Sequence, residues 1–161
     1  MQIKFIGYMP DGSVVVIGSA RLEDAQRQFG QDFSIDDLRE LGKKGWRDKC
    51  TEIIEMPEGW ESPTDRTFRN AWRKQGVPHP ESPHIFVDMP HAREIHRDWI
   101  RRKRIKALAE LDVEYQRADE REDKQAKREI AERKQRLRDL PNDPRIEQAQ
   151  TPEELKEINF G

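Results

Sequence analysis

Four histidines, His79, His84, His91 and His96, lie close together and are the first residues to weigh for chemistry. Imidazoles at short spacing bind zinc when Cys or carboxylate ligands complete a tetrahedral set. Here His91 and His96 are five apart, on different faces of a helix, and no Cys or HExxH pattern joins them. Solvated or packing histidines are the better account, and no metal or cofactor is expected. Cys50, the single cysteine, lacks an activating neighbour and reads as a small residue in a strand. Gly42-Lys43-Lys44-Gly45 is a turn, without the strand-loop-helix order of a phosphate-binding loop. No nucleophile–base pair stands out, so a non-enzymatic protein is expected.

Two other groups point to binding. The basic run Arg93, Arg97, Arg101, Arg102, Lys103, Arg104 and Lys106 surrounds Trp99 and could lie along phosphates or an acidic protein patch. Against it stand the i, i+4 partners Glu94 and Asp98 and a formal net charge of −2. A solvated helix face is therefore favoured, with Arg101 to Arg104 kept as the candidate contact for nucleic acid or an acidic partner. Among the tryptophans, Trp60 follows Gly59 in a Pro-bounded loop, where partial exposure would make it an anchor for a partner. Trp72 and Trp99 fit a core or a surface equally well.

The elements that would position these residues divide by composition near Pro83. At 161 residues, 34% hydrophobic and 39% charged, the chain builds only a modest core. Ile3, Phe5 and Tyr8, the turn Pro10-Asp11-Gly12 and Val14-Val15-Val16-Ile17 predict a β-hairpin. Arg21 to Phe29 and Ser34 to Leu41 predict short helices, the second with Ser34 and Asp37 at capping-box spacing and Gly42 as its end. Cys50 to Met56 predicts a third strand. The expected core is Phe5, Val15, Ile17, Leu22, Phe29, Leu38, Ile53 and Ile54. Asp65 to Gln75 predicts an amphipathic helix with Phe68, Ala71 and Trp72 on one face. Gly76 to Pro83, with three prolines, predicts an extended connector, and His84 to Met89 a brief strand.

Between Pro90 and Pro141 no glycine or proline interrupts a run of straight-chain residues, which is strongly helical by propensity. One apolar stripe runs Ala92, Ile95, Trp99, Ile105, Leu108, Leu111, Tyr115, and a second runs Ala126, Ile130, Leu137, Leu140. The polar segment Asp119 to Asp123 separates them. Either one rod of about 75 Å forms, or the chain folds back there. The fold-back is favoured, because two stripes facing each other bury more than one facing water. Thr151-Pro152-Glu153-Glu154 predicts one more helix start. The expected architecture is thus α+β: a small α+β domain over residues 1–56, a connector with a short helix and a strand over 57–89, a long helical hairpin over 90–140 and a tail with a short helix over 141–161. No signal peptide and no membrane span are read from the sequence, so a soluble protein, intracellular at synthesis, is expected.

Several segments carry a resemblance. Asp65-Arg66-Thr67-Phe68-Arg69-Asn70-Ala71-Trp72 and Val87-Asp88-Met89-Pro90-His91-Ala92-Arg93-Glu94-Ile95-His96 resemble a module of small tailed-phage and prophage proteins. Leu111 to Tyr115, Lys134 to Pro141 and Thr151 to Leu155 continue it. The Leu-Arg-Asp-Leu-Pro ending is similar to that of phage tail assembly chaperones and tail-fibre assembly proteins. The resemblance spans roughly Met56 to Ile158, and the glycine of the family's inter-helix turn is missing from Arg117 to Asp123. It implies a tail or tail-fibre accessory, an assembly chaperone or a minor virion component, working in the host cytoplasm or in the virion tail. The implied partner is a tail or tail-fibre protein, with a homo-oligomer as a further option. The expected partner-binding residues are Ile95, Trp99, Leu108, Leu111 and Tyr115, with Ile130, Leu137 and Leu140 facing them, and Trp60. The alternative is a small regulatory or anti-defence phage protein that binds nucleic acid or a nucleoprotein through Arg101 to Arg104.

Overall fold

The computed structural model describes residues 1–159 and is mixed α+β, in two compact units, Met1–Asp88 and Met89–Gly161. The first unit opens with the expected hairpin of β1 (Gln2–Tyr8) and β2 (Val14–Arg21). Asp11 shapes its turn by accepting from the Ser13 backbone N–H (2.9 Å) and hydroxyl (2.6 Å). Two short helices follow, α1 (Leu22–Phe29) and α2 (Ile35–Lys44). The capping box forms as its spacing predicts: the Asp37 N–H donates to Ser34 Oγ, and the Ser34 N–H to the Asp37 carboxylate. Gly42 does not end α2, which continues to Lys44. Strand β3 (Glu52–Glu55) completes an antiparallel sheet in the order β2-β1-β3.

Strand alternation sets the packing of this sheet. Ile3, Phe5 and Ile17 meet Ala25 of α1 and Leu38 of α2 in one core, with Val15, Leu22, Phe33, Trp46 and Ile53 partly buried around it. The other face buries Ile6, Tyr8 and Val14. Phe29, expected in the core, is 54% exposed. It sits at the last position of α1, beyond the inward-facing Ala25, and stacks on Phe33 at 5.2 Å.

The stretch from Asp65 to Gln75 is not a helix. It runs as a loop to a 3₁₀ turn at Arg69–Ala71 and then enters β4 (Trp72–Arg73). The backbone N–H groups that would begin a helix are taken from a distance: the Glu81 carboxylate accepts from the N–H of Thr64 (2.6 Å) and of Asp65 (3.3 Å). Burial of Phe68, Ala71 and Trp72 then overrides helix propensity. The supposed proline connector is itself a hairpin, β5 (Val77–His79) and β6 (Ser82–Val87), giving a second antiparallel sheet in the order β4-β6-β5. Gly76 enters β5 with φ +141°, and a Cβ there would stand 2.4 Å from the Val87 carbonyl oxygen, so only glycine fits. The Tyr8 hydroxyl donates to the His84 carbonyl (2.9 Å), joining the two sheets.

The second unit is led by α3 (Met89–Glu120) and α4 (Lys124–Asp139), antiparallel and hinged where the polar segment predicts. No glycine is needed at the hinge. Glu122 takes the left-handed conformation, φ +53°, and Asp123 caps α4 by accepting from the Ala126 N–H at 3.0 Å. After a 3₁₀ turn at Leu140–Asn142 come α5 (Pro144–Gln148) and α6 (Pro152–Glu157). Thr151 caps α6 by accepting from the Glu154 N–H, with Pro152 at the first helical position.

Candidate interaction surface

The hairpin seam is built from Leu111, Ala118 and Ile130, with Tyr115, Ala126 and Leu137 packed around them. Lysines frame it: the ammonium groups of Lys127 and Lys134 lie 5.4 and 5.3 Å from the Tyr115 ring centre. Lys127 also pairs with Asp119, and Lys134 with Asp112, while Arg133 reaches Glu114 at 3.3 Å. The expected partner residues thus separate. Leu111 (4% exposed) and Ile130 (7%) are spent on holding α3 to α4. Ile95, Leu108, Tyr115, Leu137 and Leu140 are half-buried, and Trp99 is 37% exposed.

Toward its N-terminus α3 turns a different face inward from the one its large apolar residues suggest. The buried positions are Met89, Ala92, His96, Ile100, Leu111 and Ala118. The stripe through Ile95, Trp99 and Ile105 is displaced from that face, and Ile105 is 67% exposed. The reason is the C-terminal segment, which docks on the first turns of α3. Arg93 donates to the Ala149 carbonyl (2.8 Å), and Arg97 pairs with Glu94 and Glu147. His96 Nε2 lies 2.8 Å from the Ile158 carbonyl oxygen. A carbonyl only accepts, so Nε2 carries the proton. Burial holds the His96 imidazole below its usual pKa, partly offset by that hydrogen bond. Ile146, Leu155 and Ile158 are buried in the same unit.

Trp99 stacks on His96 with 18° between the rings, and the Lys103 ammonium lies 6.0 Å from its centre. Ile105 (67% exposed) and Val113 (46% exposed) are the other exposed large apolar side chains of α3. The basic run is partly spent internally. Arg101 pairs with Asp98 at 2.7 Å, Arg102 donates to the Asp98 carbonyl, and Arg104 donates to the Arg138 carbonyl at the end of α4.

In the first unit Trp60 is half-buried and lines a groove of about 720 Å³ with Ile3, Lys4, Arg39 and Met56. Trp72 is core, 1% exposed, edge-on to the buried His79. His79 is a structural residue: its Nδ1 accepts the Glu81 N–H, and Nε2 faces the Asp65 carbonyl. Cys50 sits just before β3, 3.8 Å from the Met9 sulfur, and burial pushes its thiol pKa up. Phe29, Ile35 and Leu41 are also exposed (54%, 37% and 39%), and none of them carries a binding signal in the sequence.

Among the described residues no His, Cys, Asp and Glu side chains are grouped to hold a metal ion, and no helix is long and apolar enough to cross a membrane. Compared with known proteins, the chain matches no protein-family model, no curated protein and no solved structure.

Proposed function

We propose that this chain is a non-enzymatic accessory of a phage or prophage tail, an assembly chaperone or minor virion component that acts by protein–protein binding. The observation that carries this reading is the set of large apolar side chains left exposed on α3 beyond the hairpin seam: Trp99, Ile105 and Val113 are 37%, 67% and 46% exposed while Leu111 and Ile130 are buried. A helix face of this kind gains stability by lying in a partner's groove. The phage-tail identity of the partner rests on the sequence resemblance. In the competing account, the basic helix binds nucleic acid. Arg101 and Arg104 being engaged within the protein weakens that account, since their charge is offset or their donors are taken.

Tagged full-length protein, purified from cells producing the phage, separates the two. The proposal expects a tail or tail-fibre protein to co-purify, to be lost on Ile105→Asp or Trp99→Asp, and to survive Arg101/Arg102/Lys103→Ala. Binding to DNA or RNA that falls steeply with salt and disappears in the triple variant would establish the competing account instead.

A further inference from the structure

We infer that the groove between α3 and α4 is a self-association surface, which a second copy of this chain covers with its own hairpin to form a two-fold four-helix bundle. The groove has a volume of about 460 Å³, and half-buried Ala107, Leu137 and Leu140 form its apolar floor above the already buried Leu111. Its two edges carry opposite charge. Glu110 and Glu114, four apart on α3, form one edge, and Arg133 and Arg136, three apart on α4, form the other. The Glu114–Arg133 pair at 3.3 Å fixes the relative height of the helices. Because they run antiparallel, Arg136 then stands level with Glu110.

This pattern is complementary to itself. A two-fold axis parallel to the helices lays α3 of one copy over α4 of the other. Each acidic edge then meets a basic edge at matching height, and symmetry repeats the match on the far side. Every neighbouring pair of helices in the resulting bundle is antiparallel, which is the up-down arrangement of four-helix bundles. A two-fold axis running across the helices would instead stack α3 on α3, with carboxylates facing carboxylates and guanidinium groups facing one another. The charges therefore select both the occupant and its orientation. Trp99 and Ile105 lie outside the groove lining, whereas Val113 flanks its acidic edge, so Trp99→Asp tests tail-protein capture and the charge reversals test self-association, and each can fail without the other.

Sedimentation equilibrium of the full chain over a wide concentration range tests the inference. The wild type is expected to dimerise. Glu110→Arg/Glu114→Arg and, separately, Arg133→Glu/Arg136→Glu are each expected to weaken dimerisation about tenfold or more. Mixing the two variants restores a dimer, now heteromeric, because each reversed edge again meets its opposite. Circular dichroism reports whether the variants keep their helices, and the milder Glu110→Gln/Glu114→Gln variant is expected to move in the same direction. A wild type that stays monomeric throughout, a dimer indifferent to both reversals, or a mixture that forms no heterodimer would each overturn the inference.

Discussion

Ile130→Ala and Ile105→Ala remove the same three carbons from the two helices of one hairpin, yet the structure gives them unequal costs. Ile130 is 7% exposed and packs in the seam with Leu111 and Ala118. Losing three buried carbons at about 0.8 kcal/mol each forfeits about 2.4 kcal/mol of transfer free energy. The cavity left behind adds to this. Alanine's better helix propensity returns about 0.4 kcal/mol, so the net loss is about 2–3 kcal/mol. Ile105 is 67% exposed, so only about a third of that transfer term applies, and the propensity gain cancels much of it. Its expected change is within about 0.5 kcal/mol. Urea unfolding followed by circular dichroism at the helical band reads the difference. For a slope of about 1–3 kcal/mol/M, the Ile130→Ala midpoint should fall by about 1 M, and the Ile105→Ala midpoint should barely move. Equal shifts, or a costlier Ile105→Ala, would refute the assignment of the seam.

Other perturbations probe the hinge, the C-terminal clasp and the cysteine. Glu122→Gly relieves a left-handed backbone and is expected to stabilise the hairpin by about 0.5–1 kcal/mol; a lower thermal midpoint would contradict the positive φ. His96 is held neutral in the folded state, whereas the unfolded chain takes up its proton near pH 6.5. Stability is therefore present above that pH and is lost as the pH falls from there toward the lower folded pKa. Thermal melts between neutral and mildly acidic pH should show this slope, and His96→Gln should flatten it; an unchanged slope in the variant would remove His96 as its cause. Cys50, half-buried with its thiol pKa raised, should react with a thiol reagent more slowly in the native protein than after unfolding. Equal rates would contradict its placement against Met9.

The fold was legible in the sequence wherever local pattern and tertiary burial agree. The β1–β2 turn, the Ser34 capping box, the fold-back near Asp119 to Asp123 and the Thr151 cap all rest on neighbours in the chain. The failures have long-range causes. Glu81 holds the backbone of Thr64 and Asp65 in a loop, and no spacing within Asp65 to Gln75 announces a partner that far along the chain. The inward face of α3 runs through His96 and Arg93, polar residues whose partners are carbonyls of the C-terminal segment. The apolar stripe of the sequence therefore runs through Ile95 and Trp99, beside them and not through them. The charged edges of the α3–α4 groove, Glu110/Glu114 and Arg133/Arg136, carry no signal in so charged a sequence, and only the antiparallel pairing sets them at one height. Of the proposed interaction surface, only the hairpin was legible in the sequence; the exposure of Trp99 and the burial of Leu111 and Ile130 emerge from the structure.

The central claim is that the hairpin is where this chain meets a phage tail protein. Cross-linking and mass spectrometry of complexes purified through the tagged full chain from phage-producing cells test it most directly. The account predicts a tail or tail-fibre protein cross-linked to Lys103 or Lys106 on α3, the lysines beside the exposed apolar surface. Recovery of no tail protein, or of one cross-linked only to lysines within residues 1–88, would contradict it.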